Sequence, residues 1–143
     1  FIPGGGTPYC TGAPNTAGSG AVLDWQGSTS VLANDLELTV YGGVPNQFGI
    51  FYYGAGAPEI PFGHGYRCVS AGGVGLFRIP PAQQLDAFGD AGIASFLDQN
   101  PSSSGPGAIT PGSTWYFQFW YRDPVAGSPG FNLSSALSVS FEP

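Results

Sequence analysis

Apolar and polar residues alternate along this chain in short runs that glycine and proline interrupt. Leu36, Leu38 and Val40 share one face of an extended segment, and the residues between them are polar or charged. Residues 21–25 and 136–141 repeat the same period of two. Because that period is typical of strands with one buried face, the three segments are predicted to be half-buried β-strands.

Two other runs are apolar on both faces. Residues 114–124, TWYFQFWYRDP, place six aromatic side chains within seven consecutive positions, and residues 48–53, FGIFYY, are followed by a glycine. Such strands need cover on both faces, so they are predicted to be neighbouring central strands of a two-layer β protein. Shorter strands are predicted at residues 66–70, 75–79 and 93–97. Pro80 and Pro81 are expected to end the second of these.

Composition agrees with one all-β domain. The chain has 143 residues, which suits a single hydrophobic core, and 42% of them are hydrophobic. No long stretch keeps a helical apolar period without glycine or proline. The predicted fold is an immunoglobulin-like or jelly-roll β-sandwich of about seven to eight antiparallel strands. It is expected to cover residues 9–143, after a flexible Gly/Pro-rich lead at residues 1–8.

Charge in this chain is sparse and mostly negative. Nine Asp and Glu residues accompany three arginines and no lysine, which gives a net charge of −6. Arg67, Arg78 and Arg122 are far apart in sequence, and Arg122 is expected to pair locally with Asp123. Nucleic-acid binding needs clustered cations, so no nucleic-acid partner is expected. Membrane insertion is not expected either, because no apolar run approaches the ~18 residues of a spanning helix.

Two cysteines, Cys10 and Cys68, lack the CxxC spacing of zinc or redox sites. They are predicted to form a disulfide that ties the N-terminal segment to the rest of the domain. A disulfide indicates an oxidising compartment, so the protein is expected to be extracellular or at the cell surface. The alternative is a pair of buried free thiols in a cytosolic protein.

The residues that enzymes use for catalysis are scarce. His64 is the single histidine and lies in a glycine-rich turn, and no GxSxG, HExxH or P-loop motif is present. One histidine and two paired cysteines are too few for a zinc site. Paired carboxylates suffice for glycoside hydrolysis, but such enzymes usually build a larger cleft. The prediction is a protein that is not an enzyme and has no catalytic residues and no cofactor.

Asp86 and Asp90 are candidates for a calcium site, because carboxylates on a loop can bind this ion. Their spacing matches no EF-hand loop. An aspartate near glycine also caps backbone N–H groups in turns, and that role is the preferred interpretation.

Blocks spread along the chain form a specific combination: YCTG at 9–12, PNQFGIFYYG at 45–54, PFGHG at 61–65, RCV at 67–69 and WYRDP at 120–124. Together they resemble a module of secreted planctomycete and myxobacterial proteins, over nearly the whole of residues 9–143. The resemblance implies a bacterial extracellular domain with a sandwich fold. It implies no catalytic residues, and it leaves Cys10 and Cys68 as the disulfide pair.

A structural subunit of an extracellular surface assembly or filament is the predicted function. Soluble β proteins commonly protect their edge strands with lysine or other charges. This chain has no lysine, and its final strand carries one charge near its end. That strand is therefore expected to be an open edge for self-association or for contact with other surface proteins. Phe1 and Ile2 are the predicted assembly segment, by strand addition to an adjacent subunit. The alternative for these two residues is a disordered tail.

A glycan-binding adhesion module is the alternative function. Aromatic rings at Tyr52, Tyr53, Trp120 or Tyr121 could stack on sugar rings. These residues lie on the strands predicted to be covered on both faces, so packing in the core is the preferred interpretation. Tyr41, on the outward face of its strand, is a better exposed candidate but an isolated one, and the ligand-binding residues are otherwise unassigned.

Overall fold

A computed structural model of the protein describes residues 5–98 and 104–143. This part of the chain contains eleven β-strands, which confirms the all-β prediction with more strands than the seven or eight expected. The strands are β1 (Gly5–Tyr9), β2 (Val22–Gln26), β3 (Glu37–Tyr41), β4 (Phe48–Gly54), β5 (Ile60–Phe62), β6 (Gly65–Arg67), β7 (Leu76–Gln84), β8 (Ala91–Ala94), β9 (Thr114–Arg122), β10 (Phe131–Leu133) and β11 (Ala136–Ser140). Short 3₁₀ helices cover Gly105–Gly107 and Pro124–Ala126. No helix within the two described ranges is long and apolar enough to cross a membrane.

Two antiparallel sheets form the layers of a β-sandwich. The larger sheet has the order β1-β11-β9-β4-β7, and β10 also pairs with β9. The smaller sheet has the order β2-β3-β8, and β5 pairs with β6 in a separate hairpin. β9 lies between β11 and β4, which confirms that the two runs apolar on both faces are neighbouring central strands.

The core lies between the two sheets. Alternate residues of β9 point into it and are buried, namely Trp115, Phe117, Phe119 and Tyr121. Leu38 and Val40 of β3 belong to the same apolar cluster, as their alternation predicts. The rings of Phe51 and Phe119, which are partners in the ladder, have centroids 4.6 Å apart. The period of two therefore sends one set of side chains to the core and the other set to the outer face of the larger sheet.

β7 continues through Pro80 and Pro81, so the prediction that these prolines end the strand is wrong. β7 is an edge strand of the larger sheet, where a missing N–H on the open side removes no ladder hydrogen bond. The register with β4 also shifts between Gly49 and Phe51, and this bulge accommodates the residues around the prolines.

The prediction that the final strand is an open edge is also wrong. β11 pairs with β9 on one side and with β1 on the other. β1 includes residues 5–8 of the predicted lead, and Thr7 stands opposite Ser138. The edge is covered because the segment before Cys10 folds back as a strand, which its Gly/Pro-rich composition does not signal. Phe1 and Ile2 lie outside the described residues.

The predicted disulfide between Cys10 and Cys68 is present, with Cα atoms 6.5 Å apart. It connects the end of β1 to the segment after β6, and Cys68 is buried in a second apolar cluster with Tyr52 and Leu133. The bond is compatible with an oxidising, extracellular environment.

Candidate binding groove

A groove of about 1150 Å³ lies on the outer face of the larger sheet. Two outward-pointing residues of β4, Ile50 and Tyr52, form its floor. The edge strand β7 borders one side, and β9, β10 and the β5–β6 hairpin border the other. The groove forms because the β5–β6 hairpin packs near β10. The outer face of β4 is then left uncovered where β4 runs beside β7.

Aromatic side chains cover much of the groove. Phe48 and Phe62 are exposed there, while Trp120 and Phe131 are half-buried in its wall. The ring of Phe131 packs on that of Trp120 at 5.4 Å and on that of Phe62 at 5.0 Å between centroids. These three rings belong to β10, β9 and β5, so their contacts hold three separate elements together as one wall.

Gln118, a fully buried residue on the outer face of β9, ties this wall to the floor. Its Oε1 accepts hydrogen bonds from the Tyr52 hydroxyl (2.6 Å) and from the Cys68 N–H (3.0 Å). Its Nε2 donates to the carbonyl oxygens of Tyr66 (2.9 Å) and Ser134 (2.7 Å). The hydrogen-bonding capacity of the amide is therefore used in full, and one side chain joins the floor, the hairpin and the segment after β10.

The groove contains every positively charged side chain of the protein, and we call it the arginine groove. The chain has three cationic residues, Arg67, Arg78 and Arg122, and all of them line it. They come from β6, β7 and β9, respectively. From the strand register, the Cα atoms of Arg78 and Arg122 lie about 10 Å apart across the sheet and about 13 Å apart along it. The positive charge is therefore spread along the groove.

The three guanidinium groups are free of carboxylate partners within residues 5–98 and 104–143, and no Asp or Glu lines the groove. Arg67 lies over the Phe62 ring, 5.6 Å from its centroid, and its buried Nε has no hydrogen-bond partner. The expected pairing of Arg122 with Asp123 is wrong. The buried Asp123 carboxylate instead accepts hydrogen bonds from Thr16 N (3.0 Å) and Thr16 Oγ1 (2.6 Å). Neighbouring residues on an extended chain point to opposite sides, so Arg122 is left to face the groove.

The floor of the arginine groove carries no negative charge at neutral pH. Burial raises the pKa of Tyr52 well above its usual value, although the nearby Arg67 acts in the opposite direction. The Tyr52 hydroxyl therefore stays protonated and donates to Gln118. The arrangement is an apolar surface bordered by three guanidinium groups that have no carboxylate partner in the described part of the chain, which suits a partner that combines apolar groups with carboxylates or other anions.

No family model, curated protein or solved structure matches this chain. The resemblance to secreted planctomycete and myxobacterial modules therefore stays a prediction.

The four aromatic residues predicted as candidates for glycan stacking lie in two different places in the fold. Tyr53 and Tyr121 point into the core and are fully buried. Tyr52 is buried in the groove floor, and Trp120 is half-buried in the wall. Two of the four therefore reach the groove, where they meet Phe62 and other rings that the sequence alone did not connect with them.

The other candidate residues lie away from the arginine groove. Asp86 Oδ1 accepts hydrogen bonds from the backbone N–H groups of Phe88 (2.8 Å) and Asp90 (3.0 Å), as in the capped turn that was the preferred interpretation, and calcium binding stays the alternative. His64 Nε2 lies 3.0 Å from the carbonyl oxygen of Gly127. Glu59 lies near the sulfur atoms of the disulfide, but oxidised sulfur offers no thiolate to a metal ion.

The arginine groove is the feature that sequence reasoning missed. Arg78 and Arg122 occupy outward positions on β7 and β9, which alternation alone could have shown. That both strands flank β4, and that the hairpin brings Arg67 to the same place, depends on sheet order. Sheet order is a long-range property, so distance along the chain did not indicate that these arginines are neighbours.

Proposed function

We propose that this protein is a non-enzymatic structural subunit of a bacterial extracellular surface assembly or filament, and that it binds its neighbours through the arginine groove. One observation supports the proposal. All three cationic side chains border one apolar groove, whereas the nine carboxylates lie elsewhere. Aromatic residues and arginine are the residue types enriched at protein–protein interfaces. The disulfide fits an extracellular location.

The arginine groove replaces the final strand as the proposed contact surface, because β11 is covered by β1. Besides the arginines, the groove offers few polar groups, and the Tyr52 hydroxyl is already bonded to Gln118. A surface that is apolar with a few guanidinium groups suits an apolar, acidic protein segment.

Sedimentation velocity over a series of protein concentrations tests this proposal. The wild-type protein is expected to form oligomers as concentration rises. The double variant Arg78→Gln, Arg122→Gln removes two charges from exposed positions and is expected to shift association to higher concentration. Asp24→Asn, on the smaller sheet, is the control for a change of charge outside the groove. A wild-type protein that stays monomeric at its highest soluble concentration would contradict the proposal.

Glycan binding is the second candidate, and the half-buried Trp120 and Phe131 favour it, because rings of this kind stack on sugars. The unpaired arginines would then select an anionic polysaccharide over a neutral one. Tryptophan fluorescence is the measurement, with polygalacturonate and dextran as probes. Binding of polygalacturonate alone, lost in the Arg78→Gln, Arg122→Gln variant, is the expected result. Equal binding of both polymers would contradict a role for the arginines.

A further inference from the structure

We propose that the arginine groove of one molecule accepts the turn at residues 86–90 of a second copy of this chain. Phe88 would insert over the groove floor, and Asp86 and Asp90 would bind the guanidinium groups at its borders. This inference rests on the proposed function and names both surfaces of the contact. We call residues 86–90 the acidic turn.

The acidic turn presents an exposed aromatic ring between two carboxylates. Phe88 is 82% exposed, although large aromatic side chains are usually buried. Asp86 precedes it by two residues and Asp90 follows it by two. An aromatic ring matches the apolar floor, and carboxylates match guanidinium groups that have no carboxylate partner within residues 5–98 and 104–143.

Hydrogen bonds hold the acidic turn in one conformation. Asp86 Oδ1 binds the N–H groups of Phe88 and Asp90. The Gly89 N–H donates to the Asp86 carbonyl (3.1 Å), and the Gly43 N–H donates to the Gly89 carbonyl (2.9 Å). Gly89 has a φ of +79°, and a Cβ there would lie 2.1 Å from the carbonyl oxygen of Gly43. A turn ordered in this way loses little conformational freedom on binding.

Two other apolar side chains are as exposed as Phe88, and neither matches the arginine groove as well. Leu32 is 90% exposed and Val125 is 80% exposed. Leu32 has a nearby carboxylate only on its C-terminal side in sequence, at Asp35. Val125 lies three residues from Arg122, which is itself part of the groove. Charge complementarity therefore favours Phe88.

The acidic turn does not occupy the groove of its own chain, because Phe88 is exposed. It begins soon after β7, and Gln84 at the end of β7 stands opposite Phe48 of the groove. Turn and groove are thus close neighbours on one molecule. Because the turn and the groove are different surfaces, one molecule can accept a turn and insert its own into another copy, as a repeating assembly requires.

Sedimentation velocity of two separate variants and of their mixture tests this contact. Phe88→Ser removes the ring, and Leu32→Ser is the matched control for loss of an exposed apolar side chain. Arg78→Gln, Arg122→Gln impairs the groove and keeps the acidic turn intact. Both test proteins are expected to associate about tenfold or more weakly than wild type, and Leu32→Ser is expected to associate normally. Moderate salt is required, because two molecules of net charge −6 repel each other at long range.

The equimolar mixture gives the decisive result. Each variant retains the surface that the other lacks, so the mixture is expected to form a one-to-one complex that neither protein forms alone. Wild-type oligomers that persist unchanged in Phe88→Ser would overturn the inference and leave the proposed function in place. A monomeric wild-type protein would overturn both. Loss of association in each variant without recovery in the mixture would also overturn the pairing of turn and groove.

Discussion

Among single residues, Gln118 connects the floor of the arginine groove to its wall. A buried polar side chain in an aromatic strand is unfavourable unless its hydrogen bonds are made. Gln118 makes four, and they reach the floor through Tyr52 and the hairpin through Tyr66. An apolar residue of similar length would fill the space but would leave all four partner atoms without this bond.

Gln118→Met is therefore expected to lower the free energy of unfolding by about 3 kcal/mol, because buried donors and acceptors lose their partner. Urea denaturation followed by tryptophan fluorescence measures the change. Gln84→Met, at an exposed position of β7, is the matched control and is expected to change stability by less than about 0.5 kcal/mol. Equal stability of the two variants would show that the network contributes little.

Among the elements, the β5–β6 hairpin depends most on its surroundings. Its two strands have three residues each, and an isolated hairpin of this size is not stable in water. The disulfide at Cys68 and the hydrogen bonds of Gln118 hold one end, and the His64 N–H donates to the Phe131 carbonyl at the other (3.0 Å). The position of the hairpin, and with it the groove wall, therefore depends on the disulfide and on these hydrogen bonds.

Replacing both cysteines, by Cys10→Ser and Cys68→Ser, is expected to lower the free energy of unfolding by about 4 kcal/mol, from the chain entropy of a loop of this length. The bridge spans a sequence separation of 58. Thermal unfolding measures the loss, and limited proteolysis is expected to cleave first within residues 60–67. Cleavage at the same sites and rate in the wild-type protein would show that the disulfide does not hold the hairpin.

At the scale of the whole molecule, charge is segregated. Three cations lie in one groove on a protein that otherwise carries only carboxylates, and none of the cations pairs with a carboxylate in the described residues. No salt bridge of these arginines therefore stabilises the fold within the described residues, and Arg67 alone of the three lies over an aromatic ring there. Their joint placement is therefore better explained by binding than by stability.

Arg78→Gln with Arg122→Gln is accordingly expected to change the free energy of unfolding by less than about 1 kcal/mol, because both side chains are exposed and neither has a carboxylate partner within residues 5–98 and 104–143. The net charge changes from −6 to −8, since two positive charges are lost. Urea denaturation of the monomer, at a concentration below that of association, is the measurement. A large destabilisation would mean that the arginines serve the fold.

Alkaline pH is expected to destabilise the protein. Burial raises the pKa of Tyr9, Tyr52 and Tyr121 above that of an exposed tyrosine. Above a pH of about 10 the unfolded chain releases these phenolic protons while the folded protein retains them, so the free energy of unfolding falls as pH rises. Below that pH the contribution is fully present. The urea midpoint across this range, with tyrosinate absorbance of the folded protein, checks the prediction. Ionisation of every tyrosine at the ordinary pKa would contradict it.

Local sequence patterns predicted much of the fold. The aromatic runs at β4 and β9 could be placed as adjacent central strands, because residues apolar on both faces require cover on both. Pro80 and Pro81 were misread, since their effect depends on whether the strand is central or at an edge. β1 was missed because Gly5–Tyr9 has almost no apolar pattern, and pairing with β11 makes it a strand.

The all-β class, the aromatic core strands and the cysteine pair could be predicted without a structure, because alternation and composition are local properties of the chain. That Arg67, Arg78 and Arg122 border one groove follows from the folded arrangement of the strands and not from any local pattern. The three arginines are close in space because of the order of strands in the larger sheet and because a disulfide and a buried glutamine hold the β5–β6 hairpin in place. The direction of a side chain on a strand follows from local backbone geometry. Which strands lie side by side in a sheet depends on pairing between segments that are distant in sequence.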